Sequence, residues 1–373
     1  MNRLLIDGTP ISRHKDGLSQ YILNVVARLD VSAYQCTLLV RPKECPAEYI
    51  DVFEHKGITV EQVPIAPIGP KRDIQFARYL CTHAPFDIAF IPSNQFPVVL
   101  NIPAVYTVHD LIYEQFPEQL GRMSSLKRWY LHFVVGVGLR KAKRVIAISE
   151  YTKQEILRCH GKQYADKIQV VYEGWEHLSG TSSSDDAAPK GVHFRDYLLY
   201  VGSSRGHKNL GRLVEAIGRC KDQLPSHFGV VIVGNTAMFR AEQLQAIARV
   251  NAGREVIQLT GWVEDADLTN YFRHAKALVF PSLSEGFGIP VLEAYYYRIP
   301  LLLSNQASLP EVAGDAAIYF DPYSAEDIAD TIVQFIRQPD HTALIERQTQ
   351  RLSMYSWDKT AREINQLLLS IHP

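Results

Sequence analysis

The sequence lacks an excess of either charge: 39 Lys and Arg stand against 40 Asp and Glu, a net charge of −1. That balance excludes a general nucleic-acid binder, which carries a basic surplus on its binding domain. It also excludes a polyanionic solvating chain. Cysteine is sparse, with Cys36, Cys45, Cys81, Cys159 and Cys220 widely spaced and no Cys-x-x-Cys pair. Neither a disulfide framework nor a zinc ribbon is expected, and the thiols read as reduced in a cytoplasmic protein. No apolar run approaches the roughly 18 residues of a membrane span. The opening stretch Met1–Asp7 is too short for a signal peptide. No Gly-x-Gly-x-x-Gly follows a strand with an acidic residue downstream, which argues against a dinucleotide oxidoreductase.

What is present is an ordinary globular composition, 46% hydrophobic and 21% charged, in 373 residues. That length fits two domains at roughly 100–200 residues each. Short apolar runs alternate with helix-length amphipathic segments, the pattern of a parallel α/β architecture. Expected strands are 4–6, 36–40, 88–91, 104–108, 144–148 and 168–171, then 197–201, 229–233, 256–259, 277–280 and 300–303. Between the two sets lies the polar, aperiodic segment 179–189, read as a linker between domains 1–178 and 190–356. The halves differ in charge, +3 for 1–180 and −4 for 181–373. Much of the positive part falls on a predicted helix over 124–143, with Lys127, Arg128, Arg140, Lys141 and Lys143. Leu126, Tyr130, Phe133 and Val137 recur at helical spacing opposite them, so this reads as a core-facing helix with a solvated basic face. A surface for anionic lipid or a pyrophosphate-bearing acceptor is the alternative.

The chemistry concentrates in Phe280–Pro–Ser–Leu–Ser–Glu–Gly–Phe–Gly–Ile–Pro–Val–Leu–Glu–Ala294, which starts at a predicted strand end. Glycines on both sides of Phe287 let the backbone turn sharply and approach a ligand. Pro290 suits the first position of a following helix. Such a helix start aims N–H groups and a positive dipole end above the strand ends, where open α/β sheets bind phosphates. Glu285 before the helix and Glu293 inside it are acceptor-only groups suited to hydroxyls, a sugar at one end and a ribose at the other.

A second strand-to-helix loop, Tyr200–Val–Gly–Ser–Ser–Arg–Gly–His–Lys–Asn–Leu210, places Arg205 and Lys208 beside glycines. Arg offers a bidentate fork and Lys a point charge, both fitted to a departing diphosphate. In the first half His109 follows a strand, in Tyr106–Thr–Val–His–Asp–Leu111. Gly17 precedes a predicted helix and lets an acceptor or phosphate approach. Asp265–Ala–Asp267 spells an Asp-x-Asp pattern, but its place favours a helix cap and an acidic first turn, so no metal is expected.

Glu285–Gly–Phe–Gly–Ile–Pro–Val–Leu–Glu293, Gly261–Trp–Val263, Ser308–Leu–Pro–Glu–Val–Ala–Gly314, Val145–Ile–Ala–Ile–Ser–Glu150 and Val201–Gly202 with Lys208–Asn209 together resemble the retaining glycosyltransferases of family 4. The resemblance covers nearly the whole chain. It implies the GT-B fold, an α/β architecture of two Rossmann-like doubly wound domains facing a central cleft. It implies that Glu285 with the backbone of Gly286, Phe287 and Gly288 holds the donor sugar, and that Glu293 holds the ribose. Ile289 N–H, Lys208 and Arg205 would hold the diphosphate, beside Gly202. Val263 would lie at the base, His109 by the transferred sugar, and a final helix over about 357–373 would cross back onto the first domain.

This sequence departs from the family in having Ser203 where an arginine is common and Ser19–Gln20–Tyr21 for a Gly-Arg-Tyr. Arg298 replaces a glycine, and Glu173–Gly174 an Asn-Gly. The implied reaction transfers a hexose, mannose from GDP-mannose, with retention and without metal or cofactor. The implied acceptor is a saccharide or lipid-linked saccharide of a bacterial surface polysaccharide, handled in the cytoplasm or at the inner membrane face. A UDP-sugar donor, a sugar-nucleotide epimerase on the same fold, and a non-catalytic carbohydrate-binding protein are the rival readings.

Overall fold

In a computed structural model, the residues described are 2–13, 16–83, 85–121, 124–179, 188–338 and 340–371. Of the segment read as a linker, 180–187 lie outside the described residues. The chain divides into two units, one of Met1–Gly174 with Ser356–Pro373 and one of Trp175–Tyr355. The passage from the first to the second therefore falls at 174/175, a few residues ahead of the segment read from composition.

The first unit holds a sheet of β1 (Asn2–Asp7), β2 (Tyr34–Val40), β3 (Thr59–Gln62), β4 (Ile88–Ile91), β5 (Ala104–Val108), β6 (Arg144–Ala147) and β7 (Ile168–Val170). Their order is β3-β2-β1-β4-β5-β6-β7, and the paired strands are parallel. The second unit holds β8 (Asp196–Val201), β9 (Phe228–Val233), β10 (Ile257–Gly261), β11 (Ala277–Phe280), β12 (Leu301–Ser304) and β13 (Ile318–Phe320). Their order is β10-β9-β8-β11-β12-β13, again parallel. Strands buried on both faces read as continuous apolar runs, as in the fully buried Phe228–Val233. Two strands absent from the sequence reading, β3 and β13, are sheet edges, and Thr-Val-Glu-Gln in β3 shows why. An edge is half solvated and needs no apolar run.

The helix over Ser124–Lys141 differs from its expectation. Its buried residues are Val134, Val135, Val137, Gly138 and Leu139, whereas Leu126 and Phe133 are 54% and 38% exposed. Gly138 is the reason: a Cβ there would lie 2.6 Å from Tyr106 Cε1, so the helix rests its second half directly on that ring. The first turns carry Leu126 and Trp129 into solvent. Among the described residues no helix is long and apolar enough to cross a membrane.

The helix Trp357–Ser370 completes the first unit. Ser356 caps it, Trp357 is wholly buried edge-on to Tyr21, and Thr360 Oγ1 donates to the Tyr172 carbonyl at 2.6 Å. Gly174 makes this passage possible, because a Cβ there would lie 2.0 Å from the Trp357 backbone nitrogen.

Candidate active site

Strand order locates the site of the second unit. The order reverses between neighbours β8 and β11, so the loops leaving their C-terminal ends diverge and leave a crevice where open parallel sheets bind ligands. Those two loops are the ones that carry Gly202–Lys208 and Glu285–Gly288.

They meet in a charge pair. Lys208 Nζ lies 2.8 Å from Glu285 Oε1 and 5.3 Å from the centre of the Phe280 ring. Asn209 locks the arrangement: its backbone is left-handed, and its Nδ2 donates to the carbonyls of Pro281 (3.1 Å) and Pro322 (2.7 Å). His207, in the same turn, is buried, and burial pushes its imidazole down to about 4 despite the opposing pull of Glu285. Arg205, at the start of the same turn, is exposed and takes no part in the pair. Gly202 has its carbonyl against Gly234, where a Cβ would lie 2.2 Å from that oxygen.

The Glu285 loop is held from beneath. Ser308 is fully buried, with its Oγ 3.0 Å from the carbonyl oxygens of both Glu285 and Phe287. Phe287 is buried, its ring edge-on to Tyr355. Gly288 is left-handed, and a Cβ there would strike Leu309 Cδ2 at 2.8 Å. The helix that follows is Ile289–Tyr296, so Pro290 is its second residue rather than its first. Glu293 lies one turn in and is half-buried, as is Val263 after β10. The helix Asp265–His274 begins directly beyond, with Glu264 at its N-cap position but no capping hydrogen bond from that side chain. Of the Asp-x-Asp pattern, the Asp265 side chain lies outside the described residues, and Asp267 pairs with Lys190 at 3.6 Å.

In the first unit His109 follows β5. Its backbone N–H donates to Asn94 Oδ1 at 2.7 Å, and its Nε2 lies 3.0 Å from the Pro92 carbonyl. The Tyr21 ring stands edge-on at 4.7 Å, and Nδ1 lies 3.7 Å from Glu173 Oε1. Burial pushes the Glu173 carboxyl up, and the His109 ring acts against that. Gly17 is the first residue of its helix rather than a residue before it. Asp16 is the cap, its Oδ1 accepting from Ser19 N at 2.9 Å.

Sequence reasoning thus missed Asn209, His207 and Ser308 as organisers of the loops, and Glu173 as the partner of His109. Asn209 and Ser308 stood inside quoted motifs, and Glu173 marked a departure from the family. Each had a signal but no assigned role.

Two family models match this chain: the first, Glycosyltransferase Family 4, over 15–176, and the second, Glycosyl transferases group 1, over 187–351. The chain belongs to these glycosyltransferases. The enzyme is 26% identical to O-antigen chain mannosyltransferase B of Escherichia coli over 276 residues, 70% of this chain and 69% of that one. It is 24% identical to the O-antigen chain mannosyltransferase RfbU of Salmonella typhimurium, across 98% of this chain and 99% of that one. Among solved structures, Anabaena HepE in complex with UDP and glucose aligns with a TM-score of 0.75 at 18% identity. That match covers 99% of this chain and 100% of the other, and shows the fold alone. The glycosyltransferase therefore has the GT-B fold expected from its motifs, with two Rossmann-like parallel sheets.

Proposed function

We propose that this glycosyltransferase moves mannose from GDP-mannose onto a saccharide or lipid-linked saccharide acceptor in cell-surface polysaccharide synthesis. The observation that carries it is the Lys208–Glu285 pair at the strand-order reversal. A cation and a hydroxyl acceptor stand side by side there, as a sugar diphosphate requires. The mannose donor is supported by the two O-antigen mannosyltransferase relatives.

The donor's diphosphate takes Lys208 from Glu285, with Arg205 and the Ile289 N–H as further donors, and frees the Glu285 carboxylate for sugar hydroxyls. Gly202 and the backbone of Gly286, Phe287 and Gly288 line the approach, Glu293 takes the ribose, and Val263 lies at the base. His109 is assigned to the transferred sugar. The bond from the anomeric carbon to the phosphate oxygen breaks as the acceptor oxygen bonds the same carbon from the same face. The acceptor proton passes to the departing diphosphate oxygen, so configuration is retained without a protein nucleophile or a metal. Positive groups fixed where this charge develops lower the barrier by an amount typical of oxyanion sites.

The reaction belongs to the cytoplasm, with peripheral contact at the inner membrane face. Exposed Leu126 and Trp129 beside Lys127 and Arg128 fit an anionic lipid surface. The test is a thermal-shift and transfer screen of GDP-mannose against UDP- and ADP-sugars, since a bound donor stabilises the fold. GDP-mannose is expected to give both the largest shift and transfer with retained configuration in EDTA. Transfer only from a UDP-sugar, or only with added manganese, overturns the corresponding part of the reading.

A further inference from the structure

Three contacts on His109 and the residue after it come from one short stretch, the segment 92–95 that follows β4. The pairing of β4 with β5 ends at Ile91 opposite Tyr106, three residues short of His109. Beyond that point the Asn94 side chain joins the two segments. Its Oδ1 accepts from the His109 N–H at 2.7 Å, and its Nδ2 donates to the Asp110 carbonyl at 2.9 Å. An N–H can only donate and a carbonyl can only accept, so this carboxamide fits in one orientation. The third contact is Pro92, whose carbonyl lies 3.0 Å from His109 Nε2. Backbone and ring of His109 are thus referred to the same segment. That segment is anchored in the core. Tyr106, wholly buried, donates its hydroxyl to the Asn94 carbonyl at 2.9 Å. Arg72, only 2% exposed, pairs with Asp7 at the end of β1, and its Nη2 donates to the Gln95 carbonyl at 2.9 Å. Asp73 Oδ1 accepts from the Val98 N–H at 2.8 Å. Arg72 and Asp73 stand in the first turn of the helix Pro70–Thr82, so one helix start grips the stretch at two points.

We propose that Asn94 is a positioning residue for His109. Its carboxamide takes over where the β4–β5 pairing stops and fixes the backbone at 109–110, while Tyr106 and Arg72 hold the segment that carries it. Asn94 supplies an acceptor and a donor at once, and both are used. Aspartate keeps the acceptor for His109 but turns an oxygen toward the Asp110 carbonyl, so it cannot take over both tasks. The placement of His109 stands on this geometry alone. Only the kinetic consequence rests on the proposed function, through the assignment of His109 to the transferred sugar.

The experiment compares Asn94→Ala and Asn94→Asp with the wild type and with His109→Ala, all in the full chain. Placement is read from hydrogen exchange of the His109 amide. Exchange is expected to be about 10² faster in Asn94→Ala, which loses both bonds, and about tenfold faster in Asn94→Asp, which loses one. A wild-type exchange rate in either variant overturns the proposal, so the milder one decides where the other fails to fold. Catalysis is read with GDP-mannose and acceptor. Asn94→Ala is expected to lower kcat by about 10², the scale of a misplaced reacting group, with GDP binding by calorimetry unchanged. Loss of GDP binding would show a general structural role and overturn the proposal. Because Asn94 acts through His109, the double variant is expected to be no slower than His109→Ala alone, and multiplied losses overturn it. Full turnover in His109→Ala removes His109 from the sugar site, and the exchange rates then decide the positioning role by themselves.

Discussion

Each unit sets a basic side chain beside a carboxyl group at the C-terminal ends of a parallel sheet, but at different depths. Lys208 and Glu285 keep 20% and 11% of their side-chain exposure and stand on loops from adjacent strands. His109 and Glu173 keep 12% and 4%, and stand on loops from β5 and β7 with β6 between them. Under the proposed function the more open pair exchanges partners, an incoming diphosphate offering Lys208 a second anion and a sugar offering Glu285 new donors. The more enclosed pair is braced by the first unit itself, and removing either member leaves a polar group away from water. A similar pairing is more open in one unit and more enclosed in the other.

The comparison breaks most sharply at Lys208. Lys208→Ala and Glu285→Gln are each expected to lower kcat by about 10²–10³ with sugar-nucleotide donor, as measured by nucleotide release with acceptor. Unchanged turnover in either variant would remove the pair from the reaction.

Histidine burial provides a second, smaller contrast. His207 in the second unit is held at about 4, below the ordinary 6.5. As pH falls through that window the unfolded chain takes up a proton that the folded one refuses, so stability is lost from about 6.5 down to 4. The loss tends toward about 3 kcal/mol. His160 in the first unit is lowered in the same direction, also to about 4, by burial and by the neighbouring His132. Urea melts at pH 4.5 and 7 are expected to show a smaller acid penalty in His207→Gln than in wild type. An unchanged penalty would assign the acid sensitivity to the first unit.

Ser308→Ala leaves two buried carbonyls of the Glu285 loop without their hydroxyl donor, at a cost of about 1–3 kcal/mol. A lower Tm together with weaker binding of nucleoside diphosphate is expected by calorimetry, and a change in neither would mean that the loop holds its shape unaided. The smallest effect is expected at Arg205, which is exposed and outside the pair. Arg205→Ala is expected to lower kcat/KM about tenfold, near 1.4 kcal/mol. A loss equal to that of Lys208→Ala would show that Arg205 fully replaces the arginine absent at Ser203.

Legibility followed the same division as the chemistry. Buried central strands such as Leu301–Ser304 are written as apolar runs, and the glycine-flanked Glu285 loop carries its own turn and helix start. Those are local signals. The edge strand β3 lacks the run because one side needs no apolar cover, whereas β13, Ile-Tyr-Phe, is apolar but only three residues long. The Ser124–Lys141 helix misled because periodicity gives spacing but not where along the helix the core ends. Glu173 and His109 lie 64 positions apart, and nothing local couples them until β5, β6 and β7 stand side by side. Ser308 likewise acts 23 positions from Glu285, through a bond that only the folded sheet creates.

The helix Trp357–Ser370 has a consequence for the order in which the molecule is made. It belongs to the first unit, yet it leaves the ribosome after every residue of the second. The early-made sheet must therefore wait, with the places for Trp357 against Tyr21 and for Thr360 against Tyr172 unfilled, while Trp175–Tyr355 is synthesised. The second unit can close while the chain is still growing, whereas the first closes only once the helix Trp357–Ser370 has emerged. In a nascent chain halted before Ser356, the loops of Lys208 and Glu285 can be complete while Tyr21, which stands edge-on to His109, still lacks Trp357 behind it.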